Sequence, residues 1–275
     1  DITSDMKIKK AETSMTNNKP TRRLRVYWKK YWPMIKSLQT GLLLITGVAG
    51  FLSSRCPMTN WKTTLALSAS LFLAISGSTI LNMWYDRDID ARMGRTEHRP
   101  LPSGAVSPNE ALRLGLFLSI SGVIWSLAID VLYGAVVFAG LFFDVVVYTI
   151  WLKRRTAWSI IWGGLSGGMP ILAGRALGVG AIDWVGIALA ASVLFWIPTH
   201  IMTFNIRYLD DYRRAGIPTF PEQYGVTATQ KIIAASSLLA AVAMGLSGLG
   251  IGLTMGYLRV MVVLSVGLLG LAGTL

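Results

Sequence analysis

Charged residues are scarce in this sequence, and cysteine is nearly absent. Only 15% of the 275 residues are charged, whereas 53% are hydrophobic, and that ratio excludes an ordinary soluble domain. The single cysteine, Cys56, cannot form an internal disulfide, so cysteine usage gives no information on the redox compartment. The two histidines, His98 and His200, lie far from Cys56 in the sequence, which argues against a Cys/His metal site.

Several catalytic signatures are also missing. The sequence contains no phosphate-binding P-loop, no Ser/His/Asp order of a known hydrolase and no zincin-type helix. Phosphorylation-driven and metalloprotease mechanisms therefore have no support, and lipid-soluble substrates remain.

Long apolar runs recur from residue 34 to the end of the chain. A run of about 20 residues crosses the ~30 Å of hydrocarbon in a bilayer as a helix. The sequence predicts an all-α, polytopic transmembrane helical bundle over residues 34–275, with no separate soluble domain. Eight spans are predicted, at 35–54, 63–83, 111–130, 132–151, 158–177, 181–204, 228–246 and 249–272.

The positive charge of the chain is concentrated at membrane ends. The net charge is +12, and the first 37 residues hold ten Lys and Arg against three acids. Residues 1–33 are expected to form a basic, disordered tail and interfacial segment rather than a cleavable signal peptide. We interpret this tail as a positive-inside anchor at anionic headgroups and not as a nucleic-acid-binding segment.

Three connections share the side of the membrane on which the basic tail lies. These are residues 84–110, 152–157 and 205–227, and they are rich in Lys and Arg. The positive-inside rule places that side, with the N-terminus, in the cytoplasm of a multi-pass cell-membrane protein. Two of the connections are long, and long loops are commonly functional. Function is therefore expected at the cytoplasmic face.

The most specific motif follows the second predicted span. Asn82, Asp86 and Asp90 lie four residues apart, so a helix continuing past the interface would stack them on one face. Repelling carboxylates there would be neutralised by Mg²⁺, which takes one or two carboxylates and accepts phosphate oxygens. The alternative is a solvated acidic helix end with Arg87 and Arg92 as ion-pair partners.

A second acidic pair, Asp210 and Asp211, opens the other long loop directly after the sixth span. The two acidic clusters therefore share one membrane face. A diphosphate bridged by metal also needs cations as a clamp. The candidates for that clamp are Lys153, Arg154, Arg95, Arg99 and Arg207.

Three residues inside or at the end of apolar runs are further candidates. Asp144 is an ionisable residue within the fourth span, where it faces a cavity or makes a structural hydrogen bond. Tyr148 lies one turn later. His200, late in the sixth span, either makes a helix–helix hydrogen bond or faces a substrate cavity.

Together these motifs resemble those of the UbiA-type intramembrane prenyltransferases. The matching segments are Asn82–Asp90, Tyr148–Arg154 and Asp210–Tyr212. Within that superfamily, Asp86–Pro102, Tyr148–Arg154 and Asp210–Pro218 look most like the protoheme IX farnesyltransferase (haem O synthase) family.

The resemblance implies a helical bundle with a cytoplasm-facing central cavity and Mg²⁺-dependent transfer of a farnesyl group to the vinyl group of haem B. It implies that Asn82, Asp86 and Asp90 hold one Mg²⁺–diphosphate group and that Asp210 or Asp211 supplies a second acidic arm. The metal ligands are then Asp86, Asp90, Asp210 and Asp211. An isoprenyl diphosphate, haem B or another lipophilic acceptor, and the bilayer are the expected partners.

The chain departs from the family pattern in several places. Ser37 and Leu38 follow Lys36 where Lys-Pro-Arg is usual, Thr199 precedes His200 where Pro-His is usual, and eight spans are predicted where the family has nine. Other acceptors therefore stay open: an aromatic acid, a quinone precursor, a chlorophyll-type ring or a glyceryl lipid. A secondary transporter is the alternative from another class.

Overall fold

The computed structural model describes residues 30–54 and 60–252, which form helices and no strands. The all-α prediction is therefore confirmed for this part of the chain. The larger helices are α1 (Ser37–Leu52), α2 (Trp61–Tyr85), α4 (Pro108–Ile129), α5 (Val131–Leu141), a π-helix (Phe142–Leu152), α6 (Ser159–Val179), α7 (Trp184–Arg207) and α10 (Val226–Ile251). The short ones are a 3₁₀ turn (Trp32–Ile35), α3 (Arg87–Asp90), α8 (Leu209–Ala215) and α9 (Phe220–Tyr224).

Seven of the eight predicted spans coincide with these helices within a few residues. Five helical segments, α2, α4, α5 with its π-helix, α7 and α10, are long and apolar enough to cross a membrane, and α1 is apolar but shorter. Helix α6 is less apolar because it holds six glycines and Arg175. The protein is an integral membrane protein. Most of the eighth predicted span, Cys56 and the basic tail before Lys30 lie outside the described residues.

Side-chain caps explain where several helices begin. The Asn60 side chain accepts the Lys62 N–H at the start of α2, and Ser107 accepts the Glu110 N–H at the start of α4. Asp130 and Asp183 cap α5 and α7 in the same way. Each cap satisfies a backbone donor that the first helical turn leaves without a partner.

Helix α6 lies at the centre of the bundle, where α1, α5 and α7 pack against it. Glycines allow these backbones to approach closely, as the spacing of Gly164 and Gly168 predicts. A Cβ on Gly168 would lie 2.7 Å from the Ala190 carbonyl oxygen of α7, and a Cβ on Gly174 would overlap the Gly47 carbonyl oxygen of α1. Small residues therefore set the distances between these helices.

A buried arginine ties three helix ends together at one end of the bundle. The Arg175 guanidinium donates to the Asp183 carboxylate at 2.6 and 2.8 Å and to the Ser53 carbonyl oxygen at 2.8 Å. The opposite end carries the long loops with α3, α8 and α9. The polar side chains that line the central cavity of the bundle lie at that second end.

Candidate functional site

A cavity of about 680 Å³ opens between α1, α2, the π-helix, α6 and α7. Its deeper wall is apolar, with residues such as Leu71, Val137 and Met169. Its other end is polar and lies beside the long loops. The lining includes nine of the predicted site residues: Asn82, Asp86, Asp90, Arg95, Arg99, Asp144, Tyr148, Lys153 and His200.

The predicted helical stacking of the first acidic motif is present in the structure. The Asp86 N–H donates to the Asn82 carbonyl at 2.9 Å, and the Asp90 N–H donates to the Asp86 carbonyl at 2.8 Å. Helical hydrogen bonding therefore continues from α2 through α3. Both carboxylates are buried, with Asp86 4% and Asp90 5% exposed.

Each of these buried carboxylates has a basic partner. Lys153 Nζ donates to Asp86 Oδ2, and Arg99 Nη1 reaches the Asp90 carboxylate at 2.7 and 2.9 Å. Burial of the Lys153 ammonium opposes its charge, but the Asp86 carboxylate outweighs this effect and raises the pKa of Lys153. The loop after α2 and the turn after the π-helix thus meet through ion pairs.

Arg154 is held beside the same site by an exposed carboxylate. Its guanidinium donates to Asp88 at 2.7 and 2.9 Å and to the Tyr85 carbonyl oxygen at 2.8 Å. These hydrogen bonds lower the pKa of Asp88. Arg154 is not among the cavity-lining residues, although one of its nitrogens is 3.9 Å from Asp86 Oδ1.

The Asn82 side chain hydrogen-bonds to the π-helix instead of to Asp86 or Asp90. Its Nδ2 donates to Asp144 Oδ2 at 2.8 Å, and its Oδ1 accepts from the Thr149 hydroxyl at 2.8 Å. Ser78 also donates to Asp144 Oδ2. The sequence left open whether Asp144 makes a structural hydrogen bond or faces a cavity. In the structure it does both.

The donor set around Asp86 suits a hard divalent cation. Asp86 Oδ1 is buried and has no hydrogen-bond donor within the described part of the chain. A carboxylate oxygen without a hydrogen bond, on a side chain that lines the cavity, is the kind of ligand that Mg²⁺ accepts. Among residues 30–54 and 60–252, no group of three or more acidic, His or Cys residues is arranged to hold a metal. A protein cage for the ion is thus not preformed there.

The second acidic pair is not among the cavity-lining residues. Asp210 lies 3.7 Å from Arg213, and Asp211 accepts a hydrogen bond from Arg214, so both make ion pairs within α8. The Asp210 side chain is 90% exposed. The prediction that Asp210 or Asp211 supplies a metal ligand remains a prediction.

The other predicted side chains have distinct environments. The Lys153 ammonium lies 5.8 Å from the Tyr148 ring, which lines the cavity. Arg207 does not line the cavity, and its guanidinium lies 5.5 Å from the Tyr208 ring. The helix–helix hydrogen bond considered for His200 is not found in the described residues; its ring stacks on Trp196 instead.

Lys36 is a cavity-lining residue that was not among the predicted site residues, although the sequence analysis noted it where the family has Lys-Pro-Arg. It is the one residue other than glycine with positive φ, 47°, among those described. Burial lowers the pKa of Lys36 to about 8, and the charges of Arg99 and Lys153 add to the effect. Its place at the family's usual Lys-Pro-Arg segment was the available signal. A strained backbone at a half-buried cation that lines a cavity is typical of functional sites.

The chain matches known proteins in both sequence and fold. A sequence model of the UbiA prenyltransferase family matches residues 43–274. Protoheme IX farnesyltransferase of Korarchaeum cryptofilum is 43% identical over 206 residues, which is 75% of this chain and 69% of the relative. The Archaeoglobus fulgidus relative of the same name is 42% identical, covering 73% of this chain and 74% of its own.

Solved structures share the fold at lower sequence identity. A structure of digeranylgeranylglyceryl phosphate synthase has a TM-score of 0.73 at 20% identity, covering 90% of this chain and 86% of the other. A UbiA homolog from Archaeoglobus fulgidus bound to GPP and Mg²⁺ has a TM-score of 0.73 at 19% identity, covering 88% and 85%. These similarities concern the fold alone.

Proposed function

The chain belongs to the UbiA prenyltransferase family and is a prenyl-transferring enzyme, and from that premise we propose that it transfers a farnesyl group from farnesyl diphosphate to a vinyl group of haem B. The proposal that the site binds a diphosphate rests on the Asp86–Lys153 ion pair, in which Asp86 Oδ1 is left without a hydrogen bond. The alternative of a secondary transporter is set aside because the chain is a transferase.

Binding of the diphosphate is assigned to the polar end of the cavity. Lys36, Lys153 and Arg99 place cationic side chains there, and phosphate oxygens bind such groups through charge-assisted hydrogen bonds. The farnesyl chain would lie along the apolar wall, which also excludes water from the reacting carbon. Bound Mg²⁺ would neutralise charge on the leaving diphosphate. The ion would be held by Asp86 and Asp90, with Asp210 or Asp211 as the predicted second acidic arm.

The acceptor assignment is supported by the relatives. Several proteins about 40% identical over most of the chain are named protoheme IX farnesyltransferase. In the proposed reaction the C–O bond at the farnesyl C1 breaks, and the diphosphate leaves with the electron pair. The terminal vinyl carbon bonds to C1, and the positive charge passes to the carbon next to the macrocycle. Water adds to that carbon and releases a proton to solvent.

We place the reaction at the cytoplasmic face. The connections next to the polar end of the cavity contain Lys153, Arg154 and Arg155 in one short turn. Such density of positive charge marks the cytoplasmic side of membrane proteins. Farnesyl diphosphate would then reach this opening from water, and haem B would reach it from the bilayer.

Product analysis of the purified full-length protein tests this function. With farnesyl diphosphate, haem B and Mg²⁺, we expect diphosphate release and a haem product enlarged by one farnesyl group plus water. Chelation of divalent cations should stop both. Release of diphosphate only with a phenolic, chlorophyll-type or glyceryl acceptor would contradict the haem assignment. Farnesyl diphosphate that stays intact with every acceptor would contradict prenyl transfer by this protein.

Lys36 should give the reaction a pH dependence. The lowered pKa of about 8 means that Lys36 is charged below that pH and neutral above it. We expect kcat/KM for farnesyl diphosphate, which reports the free enzyme, to fall about tenfold as pH rises through 8, because a charged hydrogen bond is lost. Lys36→Arg stays charged and should remove this step. Identical pH profiles for both proteins would contradict a role for Lys36.

A further inference from the structure

Four aromatic side chains form a continuous row along α7 and the residue that follows it. Trp196, His200, Phe204 and Tyr208 lie four residues apart, and we call this row the aromatic ladder. The Trp196 and His200 rings stack with centroids 5.2 Å apart and an interplanar angle of 6°. Phe204 lies 5.0 Å from His200 and 5.9 Å from Tyr208. The first three rings line the cavity.

The size of the aromatic ladder distinguishes between acceptor classes. Its three cavity-lining rings extend over eight residues, or about 12 Å at the helical rise. Such a surface is as long as a tetrapyrrole macrocycle and much longer than one benzene ring. Trp196 and Phe204 are 50% and 36% exposed, so both rings keep surface that a ligand could contact. A flat macrocycle would cover the whole row.

The outer end of the aromatic ladder carries two arginines. Arg95, from the loop after α3, and Arg207 lie 5.2 and 5.5 Å from the Tyr208 ring. Within the described part of the chain, neither guanidinium has a carboxylate at ion-pair distance, in contrast to Arg99 and Arg154. Two unpaired guanidinium groups beside one ring favour an anionic group at that end.

We propose that the aromatic ladder, with Arg95 and Arg207, is the acceptor-binding subsite and takes a planar tetrapyrrole bearing carboxylates. The macrocycle lies along the rings, and its carboxylates meet the two arginines at the Tyr208 end. The opposite, vinyl-bearing edge then points away from the two arginines, toward the C1 end of the prenyl chain. This inference rests on the proposed function. It moves Arg95 and Arg207 from the diphosphate to the acceptor.

Binding of a non-reactive analogue tests the subsite without catalysis. Iron mesoporphyrin has ethyl groups in place of vinyl groups, so it cannot accept a prenyl group. We expect Trp196→Leu and Phe204→Leu each to weaken its binding about tenfold through lost stacking and apolar contact. Trp125→Leu is the matched control, because Trp125 is exposed on α4 and does not line the cavity. Its affinity should equal that of the wild type.

Esterified porphyrin tests the arginines. Arg207→Gln should weaken binding of the diacid about tenfold and leave binding of the dimethyl ester unchanged, since the ester carries no charge for Arg207 to meet. Arg113→Gln, at the first turns of α4, should change neither. For every variant, an unchanged KM for farnesyl diphosphate shows that the fold and the diphosphate site are intact.

The outcomes separate this inference from the proposed function. If the wild type farnesylates haem B and the aromatic ladder variants bind iron mesoporphyrin as tightly as the wild type does, the subsite is wrong and the function stands. If Arg207→Gln weakens diacid and ester equally, the carboxylate orientation is wrong. If the wild type converts only a non-tetrapyrrole acceptor, both proposals fail.

Discussion

Replacing Asp86 by asparagine is expected to lower prenyl transfer by about 10³-fold or more. Asp86 is 4% exposed, pairs with Lys153 through one oxygen and has a second oxygen without a hydrogen bond. The amide would remove the negative charge that suits a divalent cation at the diphosphate. Single-turnover rates of purified Asp86→Asn, with saturating Mg²⁺ and farnesyl diphosphate, measure the effect.

The same change also affects stability, and the experiment must separate the two effects. Removing one member of a fully buried ion pair costs about 3–5 kcal/mol, and the cost should be smaller here because the side chain of Lys153, which keeps its charge, is 24% exposed. The double variant Asp86→Asn/Lys153→Met removes both charges and should recover most of the thermal stability. Its activity should stay as low as that of Asp86→Asn.

Glu97→Gln is the control for removing an acid from the same loop. Glu97 is half-exposed, its carboxylate lies 3.5 Å from His98 and it does not line the cavity, so this variant should keep most of the turnover. If Asp86→Asn is folded and turns over like Glu97→Gln, Asp86 has no part in the reaction. If the double variant is both stable and active, the loss in the single variant is a folding defect.

Gly174→Ala should destabilise the bundle by about 3 kcal/mol. The new Cβ would overlap the Gly47 carbonyl oxygen and would come within 2.9 Å of the Phe51 backbone nitrogen. Both obstacles are backbone atoms of α1, so no side-chain rotation can relieve the overlap. Overpacking of this kind costs 1–3 kcal/mol and occasionally more. Thermal unfolding in one fixed detergent measures the effect.

Gly41→Ala provides the matched control on the other helix of that contact. A Cβ at Gly41 has nothing within 4 Å, and alanine favours the helix by ~0.5–1 kcal/mol. This variant should therefore be as stable as the wild type or slightly more stable. Equal melting temperatures for Gly174→Ala and Gly41→Ala would show that α1 and α6 are not held at the distance set by glycine.

The parts of the fold that depend on local pattern were predictable from the sequence. Apolar length located the helices, since crossing a bilayer fixes the number of residues needed. The four-residue spacing of Asn82, Asp86 and Asp90 predicted a helical stripe, and the backbone hydrogen bonds agree with it. Such inferences need only the geometry of one helix.

The partners of these residues were not predictable, because they depend on how different helices face one another. The Asn82 side chain contacts Asp144 and Thr149 instead of Asp86 or Asp90. Both contacts lie in a π-helix that no sequence pattern predicted. Backbone hydrogen bonds in a π-helix join residues five apart. Asp144 and Thr149 thus share Asn82 as a partner, although α-helical spacing would pair Asp144 with Tyr148.

Under the proposed function, the Asp86–Lys153 pair makes substrate binding an exchange of partners. A diphosphate that bound Lys153 would leave Asp86 without this counterion, and a metal that bound Asp86 would likewise leave Lys153 without one. Either half of the exchange strands a buried charge, which is costly, whereas both halves together strand none. Metal and diphosphate should therefore bind cooperatively, and because linkage is reciprocal, each should raise the affinity of the other by the same factor.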